Sequence, residues 1–188
     1  MGPTFSLRPL SYVYPEGWPS IREVDFRNLA LNVFFKNERR GRYRLRRGRC
    51  EIDDHPGHTA VELESVHYLT SRKADRQYAL ALYFMDSVSG SSSQAGIAEV
   101  FELSEGHLQV TQQIVWDLHF GQRWDTLQSF DEKTKMLGFP SAHYLPGDAH
   151  CCVSAVDVVT LRWNGERFIK ADIHTELSDY GKREGKKL

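Results

Sequence analysis

The chain has 188 residues, 40 % of them hydrophobic and 26 % charged, with 24 lysines and arginines against 25 aspartates and glutamates. Values so close to the globular average exclude a chain disordered throughout, a collagen and a coiled coil. A net charge of −1 excludes binding of polyanions by bulk charge, and the longest apolar run, residues 78–85, falls far short of the ~20 residues of a membrane-spanning helix.

Pro3, Pro9, Pro15 and Pro19 fall in the first 20 residues. Proline fixes φ and removes a backbone donor, so residues 1–20 read as an extended arm. Phe5, Tyr12, Tyr14 and Trp18 give that arm apolar weight to lie on the body. No apolar run of signal-peptide length follows a basic start. Residues 19–30 have room for a helix. Turn residues at 37–41 and 47–48 bracket short strands at 42–45 and 49–52. Residues 61–66 alternate apolar and polar, the period of a half-buried strand. Residues 78–84 form a continuous apolar run that suits a central strand covered on both faces. A Ser/Gly loop at 86–96, a strand at 97–103, a turn at 104–107 and a strand at 108–115 complete a meander. Residues 122–137 are polar and read as a loop or short helix. Strands at 154–163 and 167–173 flank Asn164-Gly165, the strongest short hairpin signal. The expected fold is mostly β: a single antiparallel β-sheet domain of meander and hairpins over 21–176, with short helical or loop insertions. Residues 177–188 read as a flexible basic tail.

The rarest local pattern is Gly147-Asp148-Ala149-His150-Cys151-Cys152-Val153-Ser154. Three readings compete. A disulfide between Cys151 and Cys152 would join Cα atoms about 3.8 Å apart across a trans peptide, below the usual range and therefore strained. A bond from either one to Cys50 would leave an odd thiol. A metal site would use His150, Cys151 and Cys152, with His143, His55 or His58 as the fourth ligand, although adjacent cysteines lack the usual spacing of zinc ligands. Cys151 with His143 or His150 is also the best nucleophile–base pair in the chain. Asp53-Asp54-His55-Pro56-Gly57-His58 offers two histidines beside two carboxylates, but its composition favours a turn.

Eight of the fourteen residues from Lys36 to Arg49 are basic, and only Glu38 opposes them. Arg42, Arg44, Arg46 and Arg49 are the candidates for meeting a polyanionic surface. The alternation places Tyr43 and Leu45 inward, so a solvated strand face is the plainer account, and a nucleic-acid partner is not expected. G-x-S-x-G, H-E-x-x-H, the phosphate loop and the dinucleotide fingerprint are all missing. No catalytic residue and no cofactor is therefore assigned from sequence.

The residues at 24–28, 41–45, 78–84, 100–103, 147–154 and 162–165 together resemble a loose group of bacterial secreted proteins. The closing part is similar to the LppP/LprE-type lipoproteins, with a Gly-Asp-x-x-Cys-Cys-x-Ser segment before a strand and a Trp-Asn-Gly turn. The group also resembles the strand-loop units of FG-GAP and VCBS repeats. The resemblance spans about residues 21–170. It implies an exported β-rich domain, periplasmic or secreted and often lipid-anchored, with no established activity. Val153 stands where members often carry proline. Residues 68–77 hold one carboxylate among three cations, so the calcium loop of the group, which needs several oxygen ligands, is not expected. Cys50 falls where the group more often has an aromatic residue, which favours the Cys151–Cys152 pairing over a bond to Cys50. The expected function is an exported, non-enzymatic binding or structural module for an unknown protein or polyanionic partner. The alternatives are a metal-dependent or cysteine hydrolase at His150-Cys151-Cys152 and a polyanion-binding module at residues 36–49.

Overall fold

The run at 78–84 is the middle of a strand whose two sides feed two separate cores. Tyr78, Leu80 and Leu82 join one buried cluster, and Ala79, Ala81 and Tyr83 join the other. A period of two sends successive side chains to opposite faces, so every position of this run is apolar because both faces are covered. The computed structural model describes residues 5–34, 40–54, 57–87, 94–118, 129–149 and 152–188. The strands are β1 (Phe5–Gly17), β2 (Ala30–Phe34), β3 (Arg40–Arg44), β4 (Arg49–Asp54), β5 (Gly57–Leu69), β6 (Arg76–Ser87), β7 (Gln94–Ser104), β8 (His107–Leu118), β9 (Ser129–Asp131), β10 (Met136–His143), β11 (Ala155–Trp163) and β12 (Phe168–Leu177), followed by helix α1 (Asp179–Arg183).

The fold is mostly β and antiparallel, as expected. Its strands divide among a curled six-stranded sheet in the order β1-β8-β7-β6-β5-β4, a four-stranded sheet β12-β11-β10-β9 and a β2-β3 hairpin. Leu137, Phe139, Val159, Leu161 and Trp163 of the small sheet pack on Leu80, Val100, Ile114 and Trp116 of the large one. The opposite face of the large sheet is covered by Ile21, Val24, Phe26, Leu29 and Leu45. The Ser104–His107 turn has Glu105 at φ 52° and Gly106 at φ 80°. Two positive φ values give the turn the twist that a two-residue hairpin requires.

Four segments differ from expectation. The proline-rich stretch is not a separate arm; it is β1, an edge strand on β8. Its register slips between Pro9 and Tyr12 and again between Val13 and Gly17, which confines Pro9 and Pro15 to positions where a missing donor costs little. Residues 19–30 hold only two 3₁₀ turns, Ile21–Glu23 and Phe26–Asn28. Within 122–137, residues 122–128 lie outside the described part, but 129–131 and 136–137 are strand rather than loop or helix. The tail is docked. Ser178 caps α1 by accepting from the Gly181 amide at 3.0 Å, and the Ser178 amide donates to the Ser154 carbonyl at 2.9 Å.

Two bulges in the large sheet decide which side chains of β8 and β5 face which core. In β8 the ladder runs from Val100↔Gln112 to Phe101↔Val110, so Thr111 is extra. In β5 it runs from Leu63↔Tyr83 to Ser65↔Leu82, so Glu64 is extra. One inserted residue reverses the parity of everything beyond it. Val61 and Leu63 therefore share a face with Val66 and Tyr68, while Ser65 and His67 turn toward the small sheet with Leu69.

Candidate functional site

The segment containing Cys151 and Cys152 links β10 to β11, and its described part is built around Asp148. That carboxylate accepts from the Leu145 amide at 2.8 Å, the Ser154 amide at 3.0 Å and the Ser154 hydroxyl. Burial works to raise its pKa, but the Ser154 and Leu145 bonds and the Lys186 charge outweigh burial and hold it below the ordinary value. Asp148 and Ser154 thus explain the ends of the Gly-Asp-x-x-Cys-Cys-x-Ser pattern as a loop closure. His150 and Cys151 lie outside the described residues. Cys152 is half-buried beyond them. Cys50 carries a free thiol buried among the core residues of the large sheet, and burial pushes that thiol up against an opposing bond from the Val61 backbone. No two described cysteines stand at disulfide distance, so the bond from Cys50 to Cys152 is not formed. The reason is topological: Cys50 belongs to the large sheet and Cys152 to a connection of the small one.

The expected metal ligands do not converge among the described residues. His55 lies outside them, as does the side chain of His58, and among the described residues no group of three His, Cys, Asp or Glu is placed to hold a metal. His143 is instead bound to Asp157, its Nδ1 lying 2.9 and 3.0 Å from the two carboxylate oxygens. Asp157 is buried and also accepts from the Thr175 hydroxyl at 2.7 Å. Of the arginine candidates, Arg44 donates to the Asn28 carbonyl at 3.1 Å and Arg49 pairs with Glu51 at 3.3 Å. Arg46 is exposed, the side chain of Arg42 lies outside the described part, and Leu45 points inward as expected.

Two constellations went unread in the sequence. Ser65 Oγ lies 3.0 Å from His67 Nε2, and His67 Nδ1 lies 2.9 Å from Glu132 Oε1. A bond from Lys135 holds the Glu132 carboxyl below its ordinary value, burial opposes this weakly, and His67 adds to the lowering. An ionised carboxylate only accepts, so Nδ1 carries a ring proton, and in the neutral ring the Nε2 lone pair faces the Ser65 hydroxyl. The His67 ring also packs on Phe130, with centroids 4.9 Å apart. The signal was present in the sequence: apolar residues fall at 61, 63, 66 and 68, and the skipped beat is the bulge.

The second is inside the large sheet. Glu102 and Glu99 both lie in the apolar run of β7 and both are buried. Glu102 is fully partnered, by Arg76 at 3.0 Å, Tyr78 at 2.5 Å and Gln109 at 2.8 Å. Glu99 is not. Gln113 donates to its Oε1 at 2.9 Å, but its Oε2 has no partner among the described residues, and neither does the hydroxyl of Tyr83 on the same face. Ala81 stands directly opposite Glu99. Burial raises the Glu99 pKa to about 7 against the Gln113 bond. The Tyr83 phenol is pushed well up, first by burial and then by Glu99, Tyr14 and Cys50.

No protein family, no curated protein and no solved structure matches the chain. Among the described residues no helix is long and apolar enough to cross a membrane.

Proposed function

We propose that the chain is a binding module that takes a small ligand into the covered face of its curled sheet, at Glu99 and Tyr83. The observation that carries the reading is the pair of unpartnered oxygens, Glu99 Oε2 and Tyr83 Oη, in side chains each 1 % exposed. Leaving a buried polar group unsatisfied costs about 1–3 kcal/mol, so two of them on one face mark a place where a donor is wanted. Ala81 is small and faces Glu99, while Phe101, Ile97 and Val61 make the surroundings apolar. The matching ligand has an apolar body and one hydrogen-bond donor, as in an alkyl amine or alcohol.

Native mass spectrometry of the purified chain, followed by melting with a panel of alkyl amines and alcohols, tests the reading. The expected result is an adduct or a stabilising ligand that is lost in Glu99→Leu, a variant that relieves the buried carboxyl and therefore melts higher alone. No adduct and no stabilising ligand for the wild type would reduce Glu99 to a core group. The resemblance to LppP/LprE-type lipoproteins supports an exported setting for this module. Recovery from the envelope or medium of the source cells supports that setting, and recovery with cytosolic proteins rejects it.

A further inference from the structure

We propose that Ser65 and His67, with Glu132 as positioning residue, form an acyl-transfer site that hydrolyses small carboxylic esters. The arrangement meets the geometric requirements of an activated serine: nucleophile to base at 3.0 Å, base to orienting carboxylate at 2.9 Å, through the two different ring nitrogens. Each part has a local cause. The bulge at Glu64 turns Ser65 and His67 to the small-sheet side. Alternation then stacks them two apart on one strand. The turn after β9 brings Glu132 across from the other sheet, and Lys135 at 2.8 Å keeps that carboxylate charged and in place.

Ser65 and His67 are half-buried, so the site lies at the rim of the interface between the sheets. Phe130 packs on the His67 ring. Phe84, partly buried in the same core, lies diagonally across β6 from Ser65, two residues beyond its partner Leu82. These two aromatic faces suit an ester with a short apolar acyl group.

In the first half-reaction Ser65 Oγ bonds to the ester carbonyl carbon while its proton passes to His67 Nε2. The ester C–O bond then breaks, and the leaving alkoxide takes that proton from Nε2. In the second half-reaction water attacks the acyl-serine, gives a proton to Nε2, and Ser65 Oγ leaves with it, so a carboxylic acid and the free enzyme result. No oxidant or metal enters the balance. The site faces the small sheet and Glu99 faces the opposite core, so the two proposals stand or fall separately.

The test uses the full chain, a fluorophosphonate and p-nitrophenyl butyrate. The wild type is expected to gain one phosphonyl mass, mapped to Ser65, and to turn over the ester. Ser65→Ala and His67→Gln lower turnover by roughly 100-fold or more, the usual range for losing a general base. Glu132→Gln lowers kcat with KM unchanged, because the ring loses the acceptor that orients it, and Glu132→Asp restores part of the loss. A purely structural role for Glu132 would lower melting and the amount of active protein without that split. Unchanged melting of Ser65→Ala establishes that the variant is folded. Absence of label at Ser65 in folded wild type, or ester turnover equal in Ser65→Ala, overturns the proposal.

Discussion

Asp148 and Glu99 show how the surroundings of a single carboxyl set the sign of its effect. Burial raises the Glu99 pKa to about 7 from its ordinary 4.5. The folded state therefore binds more protons than the unfolded state between these values. Its contribution is complete below pH 4.5, falls as the pH rises to 7 and is flat above, a loss of about 3 kcal/mol across the window. Glu64, raised by burial and then by Glu62, acts in the same direction. Asp148 acts in the opposite one: its pKa is lowered, so its contribution is present above its ordinary 3.8 and lost as the pH falls below it. Urea midpoints measured from pH 5 to 8 are expected to decline for the wild type and to decline much less for Glu99→Gln. Asp148→Ala removes the acceptor of three bonds that close one loop. A loss of about 2–4 kcal/mol is expected, read as a lower midpoint at pH 7.

At the scale of strands, legibility followed the hydrophobic period. β6 and β11 were legible because each apolar residue has a face to fill, and the turn at 104–107 because Gly106 relieves a positive φ. β1 and β10 were not legible, and proline is the reason in both. Pro9 sits where β1 slips on β8, and Pro140 lies past Gly138, the last β10 residue paired with β9. Each proline is at an edge or an irregularity, which a reading of proline as a breaker does not foresee. The Ser65–His67 pair was hidden for a related reason, since a bulge converts a regular alternation into a one-residue slip. Deleting Glu64 would make Leu63↔Tyr83 and Ser65↔Leu82 consecutive pairs of a regular ladder, with Ser65 and His67 still on the small-sheet face; retained Ser65 label with retained β-sheet circular dichroism is the expected result. Gly96 makes a further prediction. A Cβ there would lie 2.0 Å from the Trp116 ring, so Gly96→Ala is expected to lower the melting temperature and to change tryptophan fluorescence together.

At the scale of the molecule, the large sheet is the common wall of two cores, one shared with the small sheet and one with the 3₁₀ turns and Leu45. That layering was only partly legible. Period and turns gave the strands, but the division into sheets depends on pairings distant in sequence, such as β1 with β8. The candidate sites followed the same rule. Local clusters such as Cys151-Cys152 attract notice in a sequence, whereas Ser65 with Glu132 and Glu99 with Gln113 are assembled by pairing.

The docking of α1 has a consequence for how the chain is made. The Ser178 hydroxyl donates to the Val153 carbonyl, its amide to the Ser154 carbonyl, and Lys186 reaches Asp148 at 3.7 Å. These contacts hold the far end of the loop that carries Cys151 and Cys152. During synthesis the two thiols emerge about 25 residues before Ser178, so for that interval the loop lacks its clasp. The order of synthesis therefore leaves the connection from β10 to β11 unclasped at its far end until residues 178–186 have been made and have folded down.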